Sequence, residues 1–198
     1  MAAPRLILAL AGALALPTLT AGCAAAPQPR PLPTWALDPE HGGQPHARVP
    51  RPRGGIRGQS EASDLVVAAL QEYGLRFGTD GRVRSLWGYL RDGHRRVSPQ
   101  GALPGDVVFF RTRAPGPAAC DDPDHAGLVA AVDTDGRIDF MEARGGQLRR
   151  SYVDPQRPHD RRDESGRVLN SFLHPRKFGD PDGTPTFAGE MLCAVVRP

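Results

Sequence analysis

Apolar residues recur at helical spacing in two stretches of the chain. Leu65, Val66, Ala69, Leu70 and Tyr73 form one stripe, with Ser60 as an N-cap, Glu61 in the first turn and Gly74 at the end. Val83, Leu86, Trp87 and Leu90 form a shorter one, closed by Asp92-Gly93. After a turn-rich segment, Pro99 to Gly105, the pattern becomes that of strands, over about 106–112, 126–132, 137–143, 147–153 and 190–196. Asp133-Thr134-Asp135-Gly136 marks a hairpin turn between the second and third of these. Residues 154–170 are strongly polar and predict a long surface loop, while 170–173 and 187–191 read as a return to the sheet. Helices first and a meander afterwards predict an α+β domain, with N-terminal helices packed on an antiparallel sheet of about five strands.

The first third of the chain has no such period. Residues 1–22 carry one positive charge, Arg5, then an apolar run from Leu6 to Leu19 and small residues, the layout of a secretory signal. Leu19-Thr20-Ala21-Gly22-Cys23 resembles a bacterial lipobox, which implies lipidation of Cys23 after cleavage. Thr20 stands where that pattern most often has leucine, and an ordinary signal peptide is the alternative. Several acyl chains on one cysteine anchor firmly, since each buried methylene contributes roughly 0.8 kcal/mol. Ala24 supplies no aspartate-type retention signal, so the expected place is the outer membrane, facing the periplasm. Residues 23–54 are proline-rich and read as an extended tether, leaving 55–198 as the folded domain.

Composition adjusts this picture only slightly. The 198 residues include 23 glycines and 21 prolines, which lowers the apolar fraction to 39% but leaves enough for one core. The formal charge is +3, and all but one of the 25 basic residues are arginines, Lys177 being the exception. An arginine-rich surface favours anionic partners, although the acidic residues are interleaved and no long basic block forms. Few aromatic residues accompany the arginines, which argues against nucleic acid as a partner.

Two motifs carry the chemistry. Leu103-Pro104-Gly105-Asp106-Val107-Val108-Phe109-Phe110 feeds a turn into a strand, and Asp124-His125-Ala126-Gly127-Leu128-Val129 places a histidine at the start of another. Together they resemble the NlpC-type cell-wall peptidases and their CHAP relatives, papain-like cysteine enzymes acting on peptidoglycan peptides. The resemblance covers roughly residues 58–153 and implies a nucleophile at the N-terminus of the first helix, where orphan amides lower a thiol's pKa. It also implies His125 as the general base and Glu142, on the next strand, as the group orienting the imidazole. The stretch matching the family's Asp-Cys-Ser-Gly is Glu61-Ala62-Ser63-Asp64, so alanine occupies the nucleophile position. A lone histidine before an apolar strand also has a purely structural reading, as does an outward-facing strand glutamate.

No other group replaces the thiol convincingly. Ser63 is one residue on, rotated about 100° around the helix. Ser60 is occupied as a cap. Cys120 lies in an acidic loop whose charges raise a thiol's pKa. Cys120 and Cys193 remain as a pair after lipidation of Cys23, which in an exported chain predicts a disulfide, with two unbridged thiols as the alternative. Asp121, Asp122, Asp124 and His125 cluster without the spacing of a calcium loop or the donor set of zinc, so no metal and no cofactor is expected. The expected function is that of a catalytically impaired peptidoglycan-binding or hydrolase-regulating lipoprotein. Its partners are wall peptides or a wall hydrolase, and the membrane through its lipid. Ser60, Glu61, Ser63, Asp64 and Asp124 are expected around the old subsites. Active hydrolysis by another nucleophile, and a purely structural envelope role, are the alternatives.

Overall fold

The structure is a computed structural model that describes residues 28, 30, 61–75, 80–112, 119–174 and 176–198. The expected signal segment, Cys23 and Ser60 lie outside the described residues. Helix α1 spans Glu61–Glu72 and α2 spans Val83–Gly93. They are followed by strands β1 (Arg95–Val97), β2 (Val107–Phe110), β3 (His125–Val132), β4 (Ile138–Arg144) and β5 (Gln147–Val153), then by the single turn α3 (Ala188–Met191) and strand β6 (Leu192–Arg197). All pairings are antiparallel, in the order β1-β6-β2-β3-β4-β5. The α+β class therefore holds, with six strands rather than five.

Both faces of the sheet are covered. On one, Val107, Phe109, Ala126 and Leu128 pack with Val66, Leu70, Leu86, Trp87 and Leu90 of the helices. On the other, Val108, Phe110, Val129, Ile138 and Phe140 pack with Leu173, Ala188 and Met191 of the C-terminal return. This explains why β2 reads as an unbroken apolar run instead of an alternating one. In α2 the buried residues are the predicted stripe, Val83, Leu86, Trp87 and Leu90. Helix α1 is buried almost all round, because the β4–β5 hairpin adds a further contact through Leu65, Met141, Ala143 and Leu148.

Three local expectations change. Arg95–Val97 carries no apolar pattern, yet it forms β1 because the outer edge of β6 has backbone groups that need partners. Residues 188–191, expected as strand, form α3, in which Glu190 accepts the amides of Thr186 and Phe187 at 2.8 and 2.9 Å. The 154–170 stretch is exposed over much of its length but firmly pinned. Asp154 and Asn170 are fully buried, and Asn170 accepts the amide of Asp154 and donates to the carbonyls of Arg157 and Asp160.

Asp106 of the Pro-Gly-Asp motif is a clamp. Its buried carboxylate accepts the amide of Leu103 at 2.8 Å and a two-pronged bond from Arg197, at 3.0 and 2.9 Å, tying the last strand to the turn before β2.

Candidate active site

His125 begins β3, opposite Phe110 of β2, and its neighbour strand β4 carries Glu142 opposite Gly127. Strand alternation puts His125, Gly127 and Val129 on the face that carries Phe110 and Phe140. The ring of Phe140 lies across Gly127, where an added Cβ would come within 2.5 Å of it. Phe110 packs between the two, 5.0 Å from Phe140 and 6.1 Å from the His125 ring, measured between centroids. The glycine of the His-X-Gly motif thus lets an aromatic wall close behind the imidazole.

The histidine is held by a buried relay. His125 Nε2 lies 2.6 Å from Glu142 Oε2, and Ser151 of β5 donates to Glu142 Oε1 at 2.6 Å. The Glu142 side chain is 2% exposed and that of His125 12%. Burial raises the Glu142 pKa, but the hydrogen bond and charge of His125, the Ser151 hydroxyl and the charge of Arg144 outweigh it and hold the carboxyl below its usual value. An ionised carboxylate only accepts, so Nε2 carries the proton and donates to it. In the neutral ring, Nδ1 is then the basic nitrogen, and Glu142 does not engage it.

A pocket of about 400 Å³ adjoins this ring, lined by Glu61, Ala62, Thr112, His125, Ala143, Arg144 and Gly145. Its size falls within the range of small-ligand sites. Ala62 lies in the first turn of α1, where backbone amides lack helical partners. Glu61 reaches across and accepts the amide of Gly146 at 2.8 Å, joining the helix to the β4–β5 turn. Asp124 supports the wall from behind by accepting the amide and hydroxyl of Thr112, at 2.7 and 2.9 Å. Arg144 donates to the carbonyls of Phe172 and Leu173, so the C-terminal return helps to shape the rim.

Several predicted site residues fall elsewhere. Ser63 is fully buried, lines no part of the pocket, and its hydroxyl has no hydrogen-bond partner among the described residues. This is the result of its rotation around the helix. Asp64 does not line the pocket either, and Asp124 contributes through Thr112. Cys120 and Cys193 are thiols rather than a disulfide. They are close enough to hydrogen bond, and burial followed by that contact pushes the Cys193 pKa up. Cys120 is also no part of the pocket. The sequence reading missed Thr112, Arg144 and Ser151. Only Ser151 left a trace, as a small polar residue among arginines on a strand.

The arrangement offers a fixed basic nitrogen beside a helix N-terminus. At that terminus Ala62 presents a methyl group to the pocket. Thr112 supplies the one hydroxyl among the pocket's lining side chains, and that hydroxyl donates to Asp124. No family model matches the chain, and no curated protein or solved structure matches it.

Proposed function

We propose that this chain is an exported, lipid-anchored protein of the bacterial envelope whose papain-like, NlpC-type domain binds peptidoglycan peptides without cutting them. The observation that carries the reading is the 2.6 Å bond between His125 and Glu142, backed by Ser151, behind an imidazole that lines the same pocket as Ala62. A buried relay built around a carboxylate is costly to desolvate, and an apolar triplet would fill the same space at least as stably. Its presence beside an open pocket favours a ligand-binding role over that of a bare scaffold. Removing the nucleophile of a catalytic triad in a serine protease lowers kcat by on the order of a millionfold, so an alanine at this place predicts an inert peptidase.

The test is digestion of purified peptidoglycan, followed by mass spectrometry, with the native protein and its Ala62→Cys variant, alongside binding of soluble wall peptides. Silence and binding by the native protein, with cleavage by Ala62→Cys, is the expected result. Cleavage by the native protein would overturn the non-catalytic reading, and Thr112→Val and His125→Ala would then locate the chemistry. Absence of both cleavage and binding in both proteins would overturn the wall-peptide reading.

A further inference from the structure

One residue of the tether is fixed on the domain. Arg30 donates its amide to the carbonyl of Pro104 at 3.2 Å, and its guanidinium lies 5.4 Å from the centroid of the Tyr73 ring. Gly105 makes room for it: a Cβ there would approach Arg30 Cβ to 2.9 Å and the Arg30 carbonyl oxygen to 3.2 Å, and the backbone has φ +89. Pro29 and Pro31 flank Arg30, so its amide is the only backbone donor in that tripeptide. Burial pushes the Tyr73 hydroxyl up to about 12 against the opposing charge of Arg30, in keeping with a closed corner.

This corner lies at the opposite end of the domain from the pocket. Ala62, in the pocket wall, and Tyr73 are separated by the length of α1, about 16 Å. Gly105 and Phe110, which packs on His125, are separated by the length of β2 and its lead-in, again about 16 Å. The docked residue also shortens the leash. Cys23 is seven positions before Arg30, a span of at most about 25 Å, whereas the 38 positions from Cys23 to Glu61 could span about 130 Å.

The surface around the corner is basic. His94 is near enough for the charge of Arg30 to lower its pKa, after the larger effect of burial. Arg95 and Arg96 follow it on the edge strand β1, both exposed and without a carboxylate partner among the described residues, Arg96 lying over the Trp87 ring. Among the acids of this end, Asp106 is clamped by Arg197 and Asp92 is paired with Arg91, while Glu72 and Asp106 act on Tyr73.

The geometry points to the corner of Arg30, Arg95 and Arg96 as the membrane-facing surface of the domain, with anionic phospholipid headgroups as its partner and the Ala62–His125 pocket turned away from the bilayer. This inference rests on the lipid-anchor reading of Cys23.

The experiment uses the full-length processed protein in vesicles of phosphatidylethanolamine and phosphatidylglycerol. Spin labels are placed singly at Asp92→Cys, beside the corner, and at Gln147→Cys, beside the pocket, in a Cys120→Ser, Cys193→Ser background. The label at 92 is expected to sense a bilayer-bound relaxation agent several-fold more strongly than the label at 147. Arg30→Pro, which removes both the amide donor and the guanidinium without touching the folded core, is expected to abolish the difference. Replacing phosphatidylglycerol by phosphatidylcholine is expected to reduce it. Equal relaxation at both labels, or a difference that survives Arg30→Pro, would overturn the docked orientation. A difference unchanged in neutral vesicles would overturn the headgroup partner. The mass of the N-terminal peptide separates these results from failure of the anchor: an unmodified Cys23 sinks the premise itself.

Discussion

Two polar clusters in this domain look alike on paper and differ in what they require. One is the His125–Glu142–Ser151 relay. The other is the lattice over the 154–170 loop, where Arg167 pairs with Asp133, Asp135 and Asp163, and Arg157 pairs with Asp135 and Asp154. Asp163 is pulled down to about 2, first by the Ser165 hydroxyl and then, against some desolvation, by Arg167 and backbone amides. Those partners lie within four residues of it, in a loop open to solvent. Glu142 takes its partners from 17 and 9 residues away, on the two flanking strands, and is nearly sealed from water. The size of a pKa shift therefore does not mark a functional site here. What distinguishes the relay is that folding had to gather it and desolvate it.

The largest expected effect comes from breaking the relay. Glu142→Ala leaves His125 and Ser151 buried without their shared acceptor and is expected to destabilise the domain by about 3 kcal/mol, measured by urea unfolding. The relay also sets an acid limit. The folded-state pKa of Glu142 lies below its ordinary value of 4.5, so its contribution is complete above that value and is lost as pH falls through the lowered folded value. Glu142→Gln is expected to flatten this part of the stability–pH curve, and an unchanged curve would remove the carboxylate from the account.

Asp154→Ala tests the one buried foot of the lattice. The fully buried Asp154 carboxylate accepts the amides of Gln156 and Arg157 and the Arg157 guanidinium. Its loss is expected to cost about 2 kcal/mol and to expose the 155–169 amides to hydrogen exchange. Ser151→Ala is expected to cost about 1 kcal/mol and, by removing one donor, to move the acid limit of Glu142 to higher pH. At the small end, Arg167→Ala is expected to leave Tm unchanged within the resolution of a melting curve, since its partners are solvated and screened. A clear drop would mean that the two clusters differ less than their burial implies.

Much of the fold was legible because it rests on periodicity. The stripe of α2 and the β3–β4 turn, closed by Asp133 and by Gly136 at φ +84, came through almost unchanged. Strand β1 and the turn α3 were not legible, because each answers a need created elsewhere: the open edge of β6, and the amides that Glu190 collects. Within the site, the sequence pointed to His125, Glu142 and Ala62, and the fold puts His125 against Glu142 and in one pocket with Ala62. Ser151, Thr112 and Arg144 were not, since nothing local ties a strand serine or a rim arginine to a histidine many residues away. The expected bridge between Cys120 and Cys193 followed from an even count of cysteines. Counting brings the right pair together but does not set its bonding state.

By itself the sequence determined the class of the fold, the two helices with the stripe of the second, and the position of the imidazole, because these depend on spacing along one chain. Only the tertiary structure decided that Glu142 is ionised between two donors, that Ser63 points into the core, and that Arg30 closes a corner far from the pocket. Each of these depends on burial and on partners distant in sequence, and a linear pattern carries no record of which faces will meet.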